Sequence, residues 1–116
     1  MRRSTVAGVH GVANIASGLW PLLHMRSFQA VTGPKTDDWL VRTVAGLLIA
    51  NGAAQVSSAG GAPDALVLAR RLGIATAATL GTVDLVYGAT GRISRIYLLD
   101  ALAEAGWIAA WTSARA

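Results

Sequence analysis

Cysteine is absent from the chain. That excludes disulfides, covalent haem attachment and thiolate metal sites, and any redox role through a thiol of its own. Compartment stays open, because a cysteine-free chain tolerates either redox side. Charge is scarce too: only 14% of residues are charged, against about 25% in a typical soluble domain. Phenylalanine occurs once and proline three times. A water-soluble fold of 116 residues would struggle to cover its surface with so few charges. Catalytic signatures are missing as well. There is no P-loop, no dinucleotide fingerprint and no G-x-S-x-G. His10 and His24 are too far apart for a helical metal pair, and the repeated Glu-x-x-His pattern of diiron bundles does not occur. The expectation is no metal and no assigned catalytic residue.

More than half of the chain is hydrophobic, at 53%, and it falls into four segments. The first runs from Ser4 to Met25 without a formal charge. The second runs from Thr43 to Pro63. The third, Leu72 to Thr90, carries only Asp84. The fourth, Ile96 to Ser113, carries Asp100 and Glu104. Each is near the length that crosses a hydrocarbon core of about 30 Å at about 1.5 Å per residue. The expected fold is therefore all-α: a single integral membrane domain, residues 1–116, built as a four-transmembrane-helix bundle with a tight hairpin between its third and fourth helices. Arg2 and Arg3 followed by VAGVHGVANIA resemble a signal peptide, but His10 and Asn14 interrupt the apolar core and no clean cleavage site follows. A retained first helix is expected.

The joints agree with this division. SFQAVTGPKTDDW, Ser27 to Trp39, reads as a loop at the membrane interface, with a rigid Gly-Pro turn. SSAGGAPDA, Ser57 to Ala65, is a turn cluster in which Asp64 is placed to cap the next helix. GATGRIS, Gly88 to Ser94, is a tight turn. Pro21 is placed to bend or end the first helix. Trp20, Trp39, Trp107 and Trp111 lie toward segment ends, where an amphipathic ring prefers the headgroup level. Gly73, Ala77 and Gly81 recur every four residues, as do Ala101, Ala105 and Ala109; such ladders permit close helix approach.

The net charge of +4 does not mark a nucleic-acid protein. Its basic residues flank apolar stretches and form no stripe among aromatics. Lipid headgroups are the expected partners. An even helix count places both termini on one side, but the basic residues divide equally between the two sides. The positive-inside rule therefore does not set the orientation.

The acids inside apolar segments are the chemically informative residues. An ionised acid at the bilayer centre costs at least about 2.5 kcal/mol. Asp84 lies one turn before the hairpin turn, where Arg92 or Arg95 is expected to pair with it. Tyr97, Asp100 and Glu104 share one face by their spacing, which should point inward against the first two segments. His10 and Asn14 are four apart, as are Asn51 and Gln55. His10, Asn14, Asn51, Gln55, Asp84, Tyr97, Asp100 and Glu104 thus form a candidate polar cluster. Two roles compete for it: fixing helix register through interhelical hydrogen bonds, or lining a cavity that binds a ligand or moves a proton. His24, beside Arg26, is expected at the interface, and Phe28 is expected to dock back on the bundle.

Two stretches carry a resemblance. GLWPLLHMRSFQAVTGPKTDDWLVRTVAGLL, Gly18 to Leu48, and DLVYGATGRISRIYLLDALAE, Asp84 to Glu104, resemble a group of small uncharacterised bacterial membrane proteins, broadly similar to the DoxX-like four-helix class. The characteristic positions would be Trp20, Pro21, His24, Phe28, Lys35, Asp37 and Trp39. The resemblance implies a four-helix fold in the bacterial cytoplasmic membrane and no settled activity. The wider class is linked to quinone-associated electron transport and redox complexes. The loop residues Lys35, Asp37 and Trp39 would then cap the polar interior. The leading expectation is a membrane protein that binds a lipid, a quinone or another small molecule, or serves as an accessory subunit of a larger complex. An oligomeric small transporter and a membrane-embedded lipid-modifying enzyme are the alternatives, and the cofactor is unknown.

Overall fold

Proline and glycine punctuate the chain where its helices break. In the computed structural model, which describes residues 1–116, α1 is Arg3–Leu23, α2 is Met25–Thr32, α3 is Asp38–Ser58, α4 is Pro63–Ala89 and α5 is Ile96–Ser113. The all-helical expectation holds. The four long helices are the four expected segments with shifted ends. The extra element is α2, inside the stretch expected to be a loop. It forms because the His24 side chain caps it, Nδ1 accepting from Ser27 N at 3.1 Å. Its far end is closed by Gly33, whose φ of 96° lies where an L side chain is strained.

Helices α3 and α4 also begin earlier than the apolar windows predicted. Polar residues are tolerated in a first turn when they suit its exposed N–H groups. Asp38 does this for α3, and Pro63 and Asp64 do it for α4. Consequently Arg70 and Arg71 lie inside α4 and not in a connecting turn. The expected tight turn joins α4 to α5. Gly91 adopts φ 78°, and the N–H groups of Arg92 and Ile93 both donate to Tyr87 O, at 3.0 and 3.3 Å.

The long helices pack as two antiparallel pairs. In the first, Gly11 of α1 faces Gly52 of α3, and Gly18 faces Ala45. A Cβ added at Gly52 would lie 2.5 Å from Gly11 O, and one added at Gly11 would lie 2.7 Å from Gly52 O. These backbones touch because no side chain stands between them. In the second pair, Gly88 faces Leu98, Gly81 faces Glu104 and Gly73 faces Trp111. The ladder on α4 therefore does face α5. The alanine ladder on α5 does not return the contact, since Ala105 and Ala109 are exposed. Larger residues, Leu98, Glu104 and Trp111, fill the α4 glycines instead.

The two pairs meet over a small core of Val6, Ala7, Ala69 and Trp111. The α3 and α5 backbones do not come together, and the molecule is flattened, at 42 × 27 × 16 Å. Arg3 N donates to Arg115 O at 2.8 Å and Arg115 N donates to Met1 O at 3.0 Å, so the termini adjoin. Leu47, Leu68, Leu85, Leu99 and Leu102 all point outward. Helices α1, α3 and α4 are long and apolar enough to cross a membrane. The expectation of four such helices is corrected to three: α5 has the length, but Asp100 and Glu104 lower its hydropathy.

Candidate functional site

His10 is the hub of the buried polar residues. It is on the inner face of α1 and fully buried. Trp111 Nε1 donates to its Nδ1 at 2.9 Å, and Gln55 Nε2 lies 3.0 Å from the same nitrogen. An indole N–H can only donate. Nδ1 is therefore the acceptor, and a neutral imidazole carries its proton on Nε2. That Nε2 is buried and has no partner. On one face the ring stacks on Trp107, with centroids 4.4 Å apart and an interplanar angle of 14°. Asn14, one turn along α1, donates from Nδ2 to Gln55 Oε1 at 2.7 Å. Helices α1, α3 and α5 are thereby joined through three side-chain hydrogen bonds.

Gly73 makes this assembly possible. A Cβ at that position would lie 2.8 Å from Trp111 Cε2 and 2.9 Å from Gln55 Nε2. Only glycine lets the indole and the amide meet against the α4 backbone. Arg70 Nε donates to Trp111 O at 3.4 Å, holding the end of α5 from the same helix.

A second group gathers the acids. Asp84 lies on α4 between Gly81, which meets Glu104, and Gly88, which meets Leu98, so it is on the face of α4 turned to the stretch of α5 that carries Asp100 and Glu104. Asp84 and Glu104 are buried, and each keeps one oxygen, Oδ2 and Oε2, without a hydrogen-bond partner. The expected ion pair of Asp84 with Arg92 or Arg95 is not formed. Both arginines are exposed on the turn, while the side chain of Asp84 is directed inward. Asp100, on the same face, is exposed.

The remaining candidates separate. Asn51 does not join Gln55. It donates from Nδ2 to Thr76 Oγ1 of α4 at 3.1 Å. Tyr97 lies under Lys35, whose Nζ is 5.2 Å from the phenol centroid and 5.6 Å from that of Phe28. The same ammonium donates to Thr32 O, Thr32 Oγ1 and Gly33 O, at 3.0, 3.2 and 2.8 Å. Lys35 therefore caps α2 and rests that helix on the start of α5. Asp37 and Trp39 are both exposed, Asp37 at the N-cap of α3 without a side-chain cap bond. Phe28 docks edge-on against Trp20 at 5.4 Å. Pro21 is buried within α1, which ends two residues later, and His24 is exposed.

Two of the four tryptophans are not headgroup anchors. Trp111 is buried and Trp107 half-buried, both against His10. They and Gly73 and Thr76 belong to the site, although the sequence marks the tryptophans as interfacial rings, Gly73 as part of a packing ladder and Thr76 not at all. A signal was present: Tyr97, Glu104 and Trp111 are spaced by sevens, which places them on one stripe of a helix. Two surface grooves lie elsewhere. One is lined by Ser57, Ser58, Ala65, Leu68 and Leu72, with a volume near 260 Å³. The other is lined by Ser4, Thr5, Val9 and Val12 along the outer face of α1. No three acids or histidines converge as a metal shell requires.

Comparison with protein-family models, with curated proteins and with solved structures finds no match.

Proposed function

We propose that the chain is a four-span membrane protein that binds a small molecule in the polar interior between its two helix pairs. The carrying observation is His10 Nε2, a buried nitrogen with no partner, on a ring whose other nitrogen already accepts from Trp111. A buried donor left unpaired costs about 1–3 kcal/mol. Register-fixing accounts for Asn14, Gln55 and Trp111, all of which are satisfied. It does not account for a histidine with one edge left open, nor for the unpartnered oxygens of Asp84 and Glu104. A guest with its own polar groups would satisfy such atoms, an acceptor such as a lipid or quinone carbonyl at the imidazole N–H and a donor at the carboxyl oxygens.

The fourth span is supported by packing. Helix α5 lies antiparallel along α4 from Gly88 to Gly73, so a bilayer that contains α4 also contains α5. Its 18 residues extend about 27 Å. The adjoining termini agree with an even number of crossings. The DoxX-like resemblance and a bacterial cytoplasmic membrane belong to the same proposal. An oligomeric small transporter is the second reading, favoured by the loose junction between the pairs, which lets one pair move against the other.

The test is native mass spectrometry of the protein extracted from its own membrane in mild detergent. A defined extra mass on the wild type, lost from His10→Phe, is the expected result. A bare chain in every charge state would return the cluster to a structural role.

A further inference from the structure

The polar interior, if it binds a guest as proposed above, also indicates the guest's charge. We infer that Asp84, Asp100 and Glu104 bind the ammonium group of an amine, carried either by a free lipophilic amine or by an ethanolamine lipid headgroup.

Three carboxyl groups from two helices share this seam, Asp84 between the α4 glycines that meet Glu104 and Leu98. Two of the three side chains are nine-tenths buried or more, Asp84 at 5% and Glu104 at 6% exposure, and each keeps an unpartnered oxygen inside the bundle. A cation beside them favours the ionised form, and an ionised carboxylate offers acceptors alone. Such atoms call for a guest that brings N–H donors and positive charge. The carbonyl of a quinone or the ester of a lipid would add a further acceptor.

The chain's own cations do not supply that charge. Lys35, over Tyr97 one turn away, already donates to two carbonyls and a hydroxyl at the end of α2. Arg92 and Arg95 are exposed on the turn. Arg70 is turned to the carbonyl of Trp111. A bare metal ion is a poor fit, since the donors do not converge on one point. An ammonium is larger and reaches several oxygens through separate N–H bonds.

A further feature suits this guest. Asp100 is exposed while its two neighbours are not, so the carboxyl cluster has one open side. A headgroup amine or an amphiphile's amine can reach it there from the surrounding lipid.

The experiment places the full chain in nanodiscs of phosphatidylglycerol, which carries no amine. Octylammonium is titrated by calorimetry, with octanol as the neutral probe of equal length. Saturable octylammonium binding is expected, weakened at least tenfold by Glu104→Gln and by Asp84→Asn, with no comparable octanol binding. Should either buried variant fail to assemble, Asp100→Asn, at the exposed position, carries the test with the same expected weakening. Native mass spectrometry from nanodiscs supplemented with phosphatidylethanolamine then separates the sources. One retained ethanolamine lipid per chain identifies the headgroup; octylammonium binding without a retained lipid identifies a free amine. Octanol binding as tight as octylammonium, or variants that bind octylammonium as the wild type does, would overturn the cation reading. A neutral guest that is still lost from His10→Phe would leave the proposed function standing. No retained guest of any kind would remove both.

Discussion

Replacing Gly73 with alanine exchanges one hydrogen for a methyl group, and the structure says what it would strike. The new Cβ would lie 2.8 Å from Trp111 Cε2 and 2.9 Å from Gln55 Nε2. Both are inside van der Waals contact, so something must move. Backbone retreat is resisted because Gly81 and Gly88 hold α5 close to α4 over the following turns. The indole is therefore displaced, and its bond to His10 Nδ1 at 2.9 Å is lost with it. Overpacking costs about 1–3 kcal/mol and the hydrogen bond about 0.5–1.5 kcal/mol. Alanine's better helix propensity returns about 1 kcal/mol. The net expectation is a loss of roughly 0.5–3.5 kcal/mol, the sum of those ranges less the propensity gain.

The control is Gly106→Ala on the facing helix, where an added Cβ meets nothing within 4 Å. There the propensity gain is unopposed, so stability should hold or rise. Both variants are unfolded reversibly from mild detergent by titration with a denaturing detergent, read by circular dichroism and by tryptophan emission. Gly73→Ala should unfold earlier and shift the emission of the native state, because Trp111 leaves its partner. A Gly73→Ala protein as stable as Gly106→Ala, with native emission unchanged, would refute the placement of Trp111 between Gly73 and His10.

Other perturbations follow from the same contacts. His10→Ala removes the acceptor for Trp111 and Gln55 and the stack on Trp107, and should cost about 2–4 kcal/mol in the same unfolding assay. Asn14→Ala removes one interhelical bond, with a smaller expected loss of about 0.6–1.7 kcal/mol; a loss as large as that of His10→Ala would contradict the ranking. Gly52→Leu forces α1 and α3 apart at their closest approach, and the expected outcome on size-exclusion chromatography is loss of the compact, assembled species. Lys35→Ala uncaps α2; amide exchange should rise across Met25–Thr32 while the four long helices keep their protection.

The long helices were legible because apolar length is a property of sequence alone. Their ends were not, since Asp38 and Pro63 extend helices through first-turn chemistry that a hydropathy window averages away. Helix α2 was hidden for a related reason: its cap is a histidine side chain, outside the usual set of Ser, Thr, Asp and Asn. Within the site, the i and i+4 pair His10 and Asn14 correctly marked the inner face of α1. The pair Asn51 and Gln55 was split, because neighbouring helices approach α3 from two sides and take one amide each. The tryptophans were misassigned by position. Trp111 is near a helix end, where a ring often anchors at headgroups, but its destination depends on Gly73 of another helix, which no local pattern of α5 records. The same holds for Asp84: its nearness in sequence to Arg92 and Arg95 suggested a pair, while the helix turn buries it on the face of α4 that meets α5.

Helix α5 shows how an element too polar by averaging is still suited to the proposed fourth span. Mean hydropathy sums over all sides of a helix, whereas lipid meets only one. Tyr97, Glu104 and Trp111 form a single stripe, and Asp100 and Trp107 lie beside it. The opposite face presents Leu99, Leu102, Gly106 and Ala109, all exposed and none charged. Helix α4 has the same division, with Asp84 buried and Leu85 exposed. Moving the acid by two residues separates this account from one based on composition. The double variant Leu102→Glu, Glu104→Leu leaves the hydropathy of α5 unchanged. It puts a carboxylate on the outer face, at an insertion cost of at least about 2.5 kcal/mol if that face meets lipid near the bilayer centre. In the proposed arrangement it should insert poorly, as read by protease protection of tags on the two sides of α5. Insertion equal to the wild type would mean that the outer face of α5 does not meet lipid, and the four-span arrangement would fail with it.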